Sequence, residues 1–155
     1  MRVAFGCDHA GFELKPVVLN YLRKLKIEVI DMGTHDRESV DYPDIAALVS
    51  AAVATQEADL GILICGTGLG MAISANKVPG IRAVTVSEPY SAAMARAHND
   101  ANVITMGSRV IGSELAIMNL KAFLDTRFEG GRHCRRVDKM MRLSEVSFPE
   151  AQSSD

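Results

Sequence analysis

The chain has 155 residues, a length that predicts one domain able to bury a core without disulfide bonds or a structural metal. Its composition is 48% hydrophobic and 23% charged, which is typical of a globular domain. The net charge of −2 excludes a general attraction for nucleic acid or anionic membranes, so an anionic ligand needs a local basic cluster. A strand begins at the amino terminus and no apolar run reaches membrane-spanning length, so we expect a cytoplasmic protein.

Apolar strand-like runs alternate with helix-like stretches along the chain. The predicted strands are 3–6, 27–31, 60–64, 83–86 and 103–106. The predicted helices are 12–25, 42–55, 71–76, 88–97 and 112–124, with Pro16 in the first turn of the first helix. This alternation predicts an α/β fold with a five-stranded parallel sheet, and right-handed crossovers give a three-layer α/β/α sandwich.

The segment 127–145 lies beyond this alternation and carries a cluster of cations beside a glycine break. The cluster consists of Arg132, His133, Arg135 and Arg136. Helical spacing resumes at Val137, and we predict a helix that packs on a neighbouring subunit. We therefore expect a single domain over 1–145, followed by a small, polar and disordered tail over 146–155.

The most informative segment is the third predicted strand, which runs without a break into Cys65 and then into Gly66, Gly68 and Gly70. An apolar run of this kind is typical of a strand buried on both faces. Alternating glycines allow a tight turn whose N–H groups point at one spot, which predicts an anion site beside a reactive thiol. The anion is either a phosphate or a charge that develops during a reaction. The simpler alternative is a structural turn, with Cys65 as a small core residue.

The other two cysteines, Cys7 and Cys134, lack a comparable setting, and we expect both thiols to be inert. The three cysteines are an odd number without metal-ligand spacing, which favours neither a disulfide framework nor a zinc site. The chain also lacks the Cys-x-x-Cys pair that thiol-redox proteins commonly use.

Polar residues follow several predicted strands, and the carboxyl ends of parallel strands meet at one edge of a sheet. They are Asp8, His9, Thr67, Ser87, Glu88, Ser108 and Arg109. We expect His98 and Asn99, which end the fourth predicted helix, to add to this polar edge. The simpler alternatives are that His98 only caps its helix and that the basic cluster is a solvated face. Arginines beside a glycine break also resemble a phosphate clamp.

These residues match the pattern of a known family. The chain is similar to the type B ribose-5-phosphate isomerases, which form one family with the galactose-6-phosphate isomerase subunits. The similarity covers 1–143 and rests on the segments 5–11, 41–43, 65–68, 75–77, 80–83, 98–103, 107–110 and 129–133. It implies a Rossmann-like fold and an isomerase without metal or cofactor. It also implies a homodimer or a dimer of dimers with an active site shared between subunits.

The resemblance implies that the enzyme interconverts D-ribose 5-phosphate and D-ribulose 5-phosphate through a cis-enediolate, in the non-oxidative branch of the pentose phosphate pathway. A six-carbon sugar phosphate, allose 6-phosphate or galactose 6-phosphate, is an alternative substrate within the family. A sugar-phosphate-binding module without catalysis is a third possibility, since binding needs the loop and the arginines but not the thiol.

The resemblance also assigns catalytic roles. Cys65 is the base that moves a proton between C2 and C1, and Thr67 orients protons between O1 and O2. Some members of the family instead place a glutamate four positions after this cysteine, and this chain has no glutamate over 66–71, which leaves Cys65 as the candidate base here. His98 and Asp8 are the acid–base pair that opens the furanose ring.

The remaining site residues are expected to bind the substrate. By the same resemblance, backbone N–H groups of the loop stabilise the enediolate, with help from Asn99. The loop residues are Gly66, Gly68, Leu69 and Gly70. Tyr42 lines the sugar pocket. The phosphate-binding residues are His9, Arg109, Arg132, His133 and Arg136, of which the last three belong to the partner subunit's site. The loop therefore serves a transient charge and the arginines serve the phosphate.

Overall fold

Five parallel strands form one sheet in the computed structural model, which describes residues 1–145. The strands are β1 (Arg2–Cys7), β2 (Glu28–Asp31), β3 (Leu60–Cys65), β4 (Ala83–Thr85) and β5 (Val103–Gly107). Their order across the sheet is β2-β1-β3-β5-β4, and every neighbouring pair is parallel. The predicted five-stranded parallel sheet is confirmed.

Helices connect the strands and cover both faces of the sheet. They are α1 (Lys15–Lys24), α2 (Tyr42–Ala54), α3 (Leu69–Ala75), α4 (Pro89–Asn99), α5 (Ser113–Asp125) and α6 (Arg132–Met141). Short 3-10 turns occupy Gly11–Glu13 and Arg142–Glu145. None of these helices has the length and apolarity needed to cross a bilayer within the described part of the chain. The predicted tail, 146–155, lies outside the described residues.

The two faces of the sheet bury separate cores because side chains alternate along each strand. On one face, Val3, Phe5 and Cys7 of β1 pack with α1, α4 and α5. On the other face, Ala4 and residues of β3 such as Leu63 pack with α2 and α3. The predicted three-layer α/β/α sandwich is therefore confirmed.

Most helix boundaries agree with the sequence prediction, and the exceptions have a local cause. The first predicted helix is divided, because Pro16 cannot donate a backbone hydrogen bond and a 3-10 turn precedes α1. Helix α3 begins at Leu69, two residues earlier than predicted, because Gly68 with a φ of +81° ends the loop abruptly. Helix α6 begins at Arg132, well before Val137, directly after two glycines with positive φ.

The strand order places a ligand crevice between β1 and β3. The chain leaves β1 towards β2 on one side, and later returns to β3 on the other side. At such a switch point the connections diverge, which leaves a crevice outside the carboxyl ends of the two strands. Asp8 follows β1 there, and its N–H donates to the carbonyl of Ile64 at 3.1 Å, so both strand ends stay in register.

Candidate active site

Cys65 is the last residue of β3 and lies at the mouth of this crevice. Its side chain is buried, and its Sγ accepts a hydrogen bond from the backbone N–H of Gly68 at 3.1 Å. An N–H dipole aimed at sulfur is a donor for negative charge at this atom. The structure thus brings the predicted thiol and the predicted glycine loop into direct contact.

The loop lies so close to the neighbouring strands that glycine is required at two positions. A Cβ on Gly68 would lie 2.9 Å from the methyl group of Thr85 and 3.0 Å from the carbonyl carbon of Met106. A Cβ on Gly107, at the end of β5, would lie 2.7 Å from backbone atoms of Thr67. Glycine is therefore needed for steric reasons as well as for the positive φ of Gly68.

Tyr42 stands over the same loop from the first turn of α2. A Cβ on Gly70 would lie 2.6 Å from the Tyr42 ring, so the ring rests directly on the backbone of this glycine. The Tyr42 side chain remains accessible, with 42% of the residue exposed. It is thus placed to contact a ligand bound at the loop.

Asp8 and His9 enter the crevice directly after β1. Asp8 is buried, and its Oδ1 accepts the N–H of Gly11 at 2.9 Å, which fixes the carboxylate. His9 Nδ1 accepts the N–H of Val40 at 3.3 Å. Because Nδ1 is the acceptor, a neutral His9 carries its proton on Nε2 and presents that atom as a donor.

Arg109 completes this group from the turn after β5. Its N–H donates to the carbonyl of Gly66 at 3.0 Å, and its guanidinium passes 3.5 Å from the position of a Cβ on that glycine. A cavity of about 290 Å³ connects it with His9. The cavity is lined by His9, Ala10, Glu13, Arg37, Ser108 and Arg109. The side chains of His9 and Arg109 give this cavity the donors that an anion requires.

A second group of predicted site residues gathers around the end of α4. The imidazole rings of His98 and His133 stack with centroids 4.3 Å apart and planes 3° from parallel. Glu129 Oε2 lies 3.8 Å from His98 Nε2 and 3.6 Å from His133 Nε2. Arg132 Nε donates to His133 Nε2 at 3.5 Å. Helix α6 therefore delivers its basic residues to His98.

Burial lowers the pKa of His133, and the nearby positive charges of His98, Arg132 and Arg136 lower it further, while Glu129 opposes them. A lowered pKa keeps His133 neutral near pH 7, so that stacking against His98 brings no repulsion between two cations. Arg132 and Arg136 are exposed on one side of α6, where they are available to a ligand or to another chain.

His98, Glu129 and His133 offer ligand atoms that all lie within 4.8 Å of one another. A zinc ion needs imidazole lone pairs that converge on one point about 2 Å from each nitrogen. The lone pairs of two stacked rings lie in two parallel planes and therefore do not converge on one point. The arrangement therefore fits two imidazoles sharing one carboxylate better than it fits a metal.

The two groups lie at opposite ends of the strands, the crevice group at the carboxyl ends and the group around His98 at the amino ends. This corrects our prediction that His98 and Asn99 lie beside the crevice residues. Helix α4 follows β4 and runs back antiparallel to it, so the helix ends where the strands begin. Asn102, three residues after Asn99, accepts the N–H of Gly61 near the start of β3. Cys65 instead pairs with Gly107 at the far ends of β3 and β5. The five residues of β5 separate the two groups by roughly 15 Å.

Within one chain, His98 therefore does not meet Asp8, and Asn99 does not reach the glycine loop. The crevice group consists of Asp8, His9, Tyr42, Cys65, Gly66, Thr67, Gly68, Leu69, Gly70 and Arg109. The opposite group consists of His98, Asn99, Arg132, His133 and Arg136. Each is a partial site, with the reactive thiol in one and the basic cluster in the other.

Comparison with known proteins identifies the family to which the chain belongs. Residues 3–140 match the family model described as Ribose/Galactose Isomerase. The chain belongs to the ribose/galactose isomerase family. Ribose-5-phosphate isomerase B of Escherichia coli is 53% identical over 144 residues, which are 93% of this chain and 97% of that protein. Ribose-5-P isomerase B of Listeria innocua is 47% identical, covering 94% of this chain and 98% of the relative.

Solved structures of this family have the same fold. Ribose-5-phosphate isomerase B of Clostridium thermocellum superposes with a TM-score of 0.92 at 49% identity, over 94% of this chain and 98% of that one. The enzyme of Mycoplasma genitalium, solved with bound ribulose 5-phosphate, gives 0.89 at 40% identity, over 94% and 97% of the two chains. The family resemblance expected from the sequence is confirmed.

The sequence analysis gave no role to two residues that the structure places at the crevice. Ser108 Oγ donates to the carbonyl of Ala10 at 2.7 Å and lies 3.2 Å from that of Cys65, so it joins three strand ends. Thr105 donates from β5 to the carbonyl of Gly68 at 2.9 Å. A polar residue inside an apolar strand was a signal for Thr105, and Ser108 follows the fifth predicted strand within the segment 107–110 that carries the family resemblance.

Proposed function

We propose that the chain interconverts D-ribose 5-phosphate and D-ribulose 5-phosphate through a cis-enediolate. The observation that carries this proposal is the contact between Cys65 Sγ and the Gly68 N–H at the switch point of the sheet. It joins a base to a donor for developing negative charge, which is the pair of functions that enolisation needs. The relatives named ribose-5-phosphate isomerase B support the choice of substrate.

The proton transfer needs no cofactor in this proposal. The Cys65 thiolate removes the proton from C2 of the open aldose, and the electron pair moves to form the C1–C2 double bond as O1 takes up charge. Thr67 moves a proton between O2 and O1, and the Cys65 thiol then returns its proton to C1 to give the ketose. The N–H groups of the loop hold the transient charge throughout.

We further propose that a second copy of the chain completes each site. The ring-opening histidine and the basic cluster lie at the edge of the sheet opposite Cys65, so that another copy must bring them to the crevice. Leu69 and Ile73 on α3 are 58% and 64% exposed beside the crevice, an apolar surface suited to this contact. A homodimer, or a dimer of dimers, meets the requirement.

In such an assembly the phosphate of the substrate meets cations from both chains. His9 and Arg109 approach from the crevice, and Arg132, His133 and Arg136 approach from the second copy. Guanidinium groups bind two phosphate oxygens at once, which orients the sugar with its C1 and C2 at Cys65. We place the activity in the pentose phosphate pathway and in the cytoplasm, and we assign residues 1–145 to one catalytic domain.

Proton exchange with solvent tests the proposed function. The purified protein is incubated in deuterated water with ribose 5-phosphate, and separately with allose 6-phosphate and galactose 6-phosphate. We expect deuterium at C2 of ribose 5-phosphate and formation of ribulose 5-phosphate, both lost by at least about 100-fold in Cys65→Ala. Cys134→Ala, which changes an exposed thiol, is the matched control and retains exchange.

Faster turnover of a six-carbon sugar phosphate would reassign the substrate within the family. Binding of ribose 5-phosphate without any exchange at C2 would contradict the isomerase and leave a binding module. Exchange that persists unchanged in Cys65→Ala would show that another group is the base.

A further inference from the structure

Two threonine hydroxyls lie directly beneath the glycine loop. Thr105 is fully buried in β5, and Thr85 faces it in register at the end of β4. Their Oγ1 atoms are 2.8 Å apart. A buried hydroxyl is costly unless it is hydrogen-bonded, and valine is the usual residue of this shape inside a central strand. The buried hydroxyl of Thr105 therefore indicates that its hydrogen bonds have a role in the structure.

Both hydroxyls converge on the carbonyl of Gly68. Thr105 Oγ1 lies 2.9 Å from this oxygen and Thr85 Oγ1 lies 3.3 Å from it. The N–H of Ala72 in α3 also donates to the same oxygen at 3.1 Å. Each hydroxyl has one proton. The two shortest contacts use both protons, because Thr85 donates to Thr105 and Thr105 donates to the Gly68 carbonyl. In such a chain each hydrogen bond strengthens the next.

The residue held in this way is the one that donates to the thiol. Gly68 combines its carbonyl contacts with the 3.1 Å hydrogen bond from its N–H to Cys65 Sγ. Glycine has wide conformational freedom, so a φ of +81° is not fixed by the residue itself. The Thr85 methyl group packs beside Gly68, and the Thr105 hydroxyl donates to the Gly68 carbonyl. These two contacts restrain the backbone conformation of Gly68.

We propose that Thr105, supported by Thr85, is a positioning residue that holds the Gly68 N–H on the Cys65 sulfur. The hydroxyl touches no substrate and acts through the loop alone. For its effect on turnover the inference rests on the proposed isomerase activity, but its effect on the thiol is measurable without any substrate. Positioning groups of this kind matter because misaligned donors lose their electrostatic benefit in the transition state.

Thr105→Val tests the inference because it removes the hydroxyl and keeps the β-branched shape. We expect kcat for ribose 5-phosphate to fall about tenfold while KM changes less than about twofold, since the phosphate contacts lie elsewhere. Thr105→Ser keeps the hydroxyl and loses the methyl group, and is expected to restore most of kcat. If Thr105→Ser is as impaired as Thr105→Val, the role is packing and the inference is wrong.

Alkylation of Cys65 supplies a readout that is independent of turnover. Iodoacetamide reacts with the thiolate, and mass spectrometry of the Cys65 peptide gives the rate, with exposed Cys134 as an internal reference. We expect Thr105→Val to slow Cys65 alkylation several-fold at pH 7 relative to the wild type, with the rate at Cys134 unchanged. Equal rates at pH 7 would overturn the inference.

The two readouts also separate failure of the inference from failure of the proposed function. A wild-type protein without isomerase activity would contradict the function, while a changed alkylation rate in Thr105→Val would still support positioning. If Thr105→Val does not fold, Thr85→Val, at the exposed end of β4, is measured in its place. We expect Thr85→Val to lower kcat and the rate of Cys65 alkylation by a smaller factor. If neither value changes, the proposal is wrong.

Discussion

The three cysteines of this chain show how one residue type acquires different chemistry from its surroundings. Cys65 receives an N–H on its sulfur at the mouth of the crevice. Cys134 is exposed on α6. Cys7 is fully buried in β1, and burial raises the pKa of its thiol to about 12, with Asp31 and Asp8 adding to the effect and Lys15 opposing it. Of the three, only Cys65 combines an N–H donor on its sulfur with a position at the crevice.

The raised pKa of Cys7 predicts a specific loss of stability at alkaline pH. In the unfolded chain this thiol ionises near pH 9, whereas in the folded chain it keeps its proton until about pH 12. The stabilisation is complete below pH 9 and is lost as pH rises towards 12, because the unfolded state releases its proton first. Between pH 8 and pH 10 the ionisation of Cys7 in the unfolded chain lowers the free energy of unfolding by about 1.5 kcal/mol.

Urea unfolding of the wild type and of Cys7→Ala at pH 8 and pH 10 measures this effect. The difference between the free energies of unfolding of the two proteins removes the contributions of lysines and tyrosines, because both proteins contain these residues. We expect the wild type to lose about 1.5 kcal/mol more than Cys7→Ala over this interval. The same pH dependence in both proteins would contradict the account of Cys7.

At the scale of elements, most of the fold followed from hydrophobic periodicity. All five strands and the succession of helices were predicted, because a parallel sheet buried on both faces requires continuous apolar runs. The differences arose where backbone conformation overrides periodicity, as in the 3-10 turn before Pro16 and the early start of α6 after Gly131. Hydropathy does not report the φ of a glycine, and so those boundaries were not visible in the sequence.

Two glycines share a positive φ but differ in their surroundings, Gly68 between β3 and α3 and Gly80 between α3 and β4, and we predict different outcomes for their substitution. Gly68 has a φ of +81° and no room for a Cβ, whereas Gly80 has a φ of +85° and no heavy atom within 4 Å of a Cβ. Gly80→Ala therefore introduces backbone strain alone, which costs about 1 kcal/mol of unfolding free energy and leaves kcat unchanged.

Gly68→Ala adds a steric clash to the same strain. We expect a larger loss of stability than in Gly80→Ala, and a fall in kcat of more than about tenfold as the loop moves away from Cys65. Urea unfolding and steady-state kinetics on both variants check this. Similar kcat values for the two variants would mean that the close packing of Gly68 against Thr85 and Met106 does not affect catalysis.

At the scale of the whole molecule, the main finding is that one chain carries two partial sites at opposite edges of its sheet. The residues of both were visible in the sequence, but we expected His98 and Asn99 at the edge that holds Cys65. The direction of α4 decides otherwise, since a helix that follows a parallel strand returns to the edge where strands begin. Which atoms of two copies come into contact depends on the shape of their folded surfaces, and hydrophobic periodicity in the sequence does not report that shape.

Mixing two inactive variants tests most directly whether two copies build each site. Cys65→Ala retains His98, and His98→Asn retains Cys65, so that a mixed dimer contains one intact site and one that lacks both groups. Random pairing makes half of the dimers mixed, and we predict that co-expressed variants regain about one quarter of the wild-type turnover of ribose 5-phosphate. Turnover no higher than that of the separate variants would contradict the shared site, because it would place Cys65 and His98 in the same chain's site.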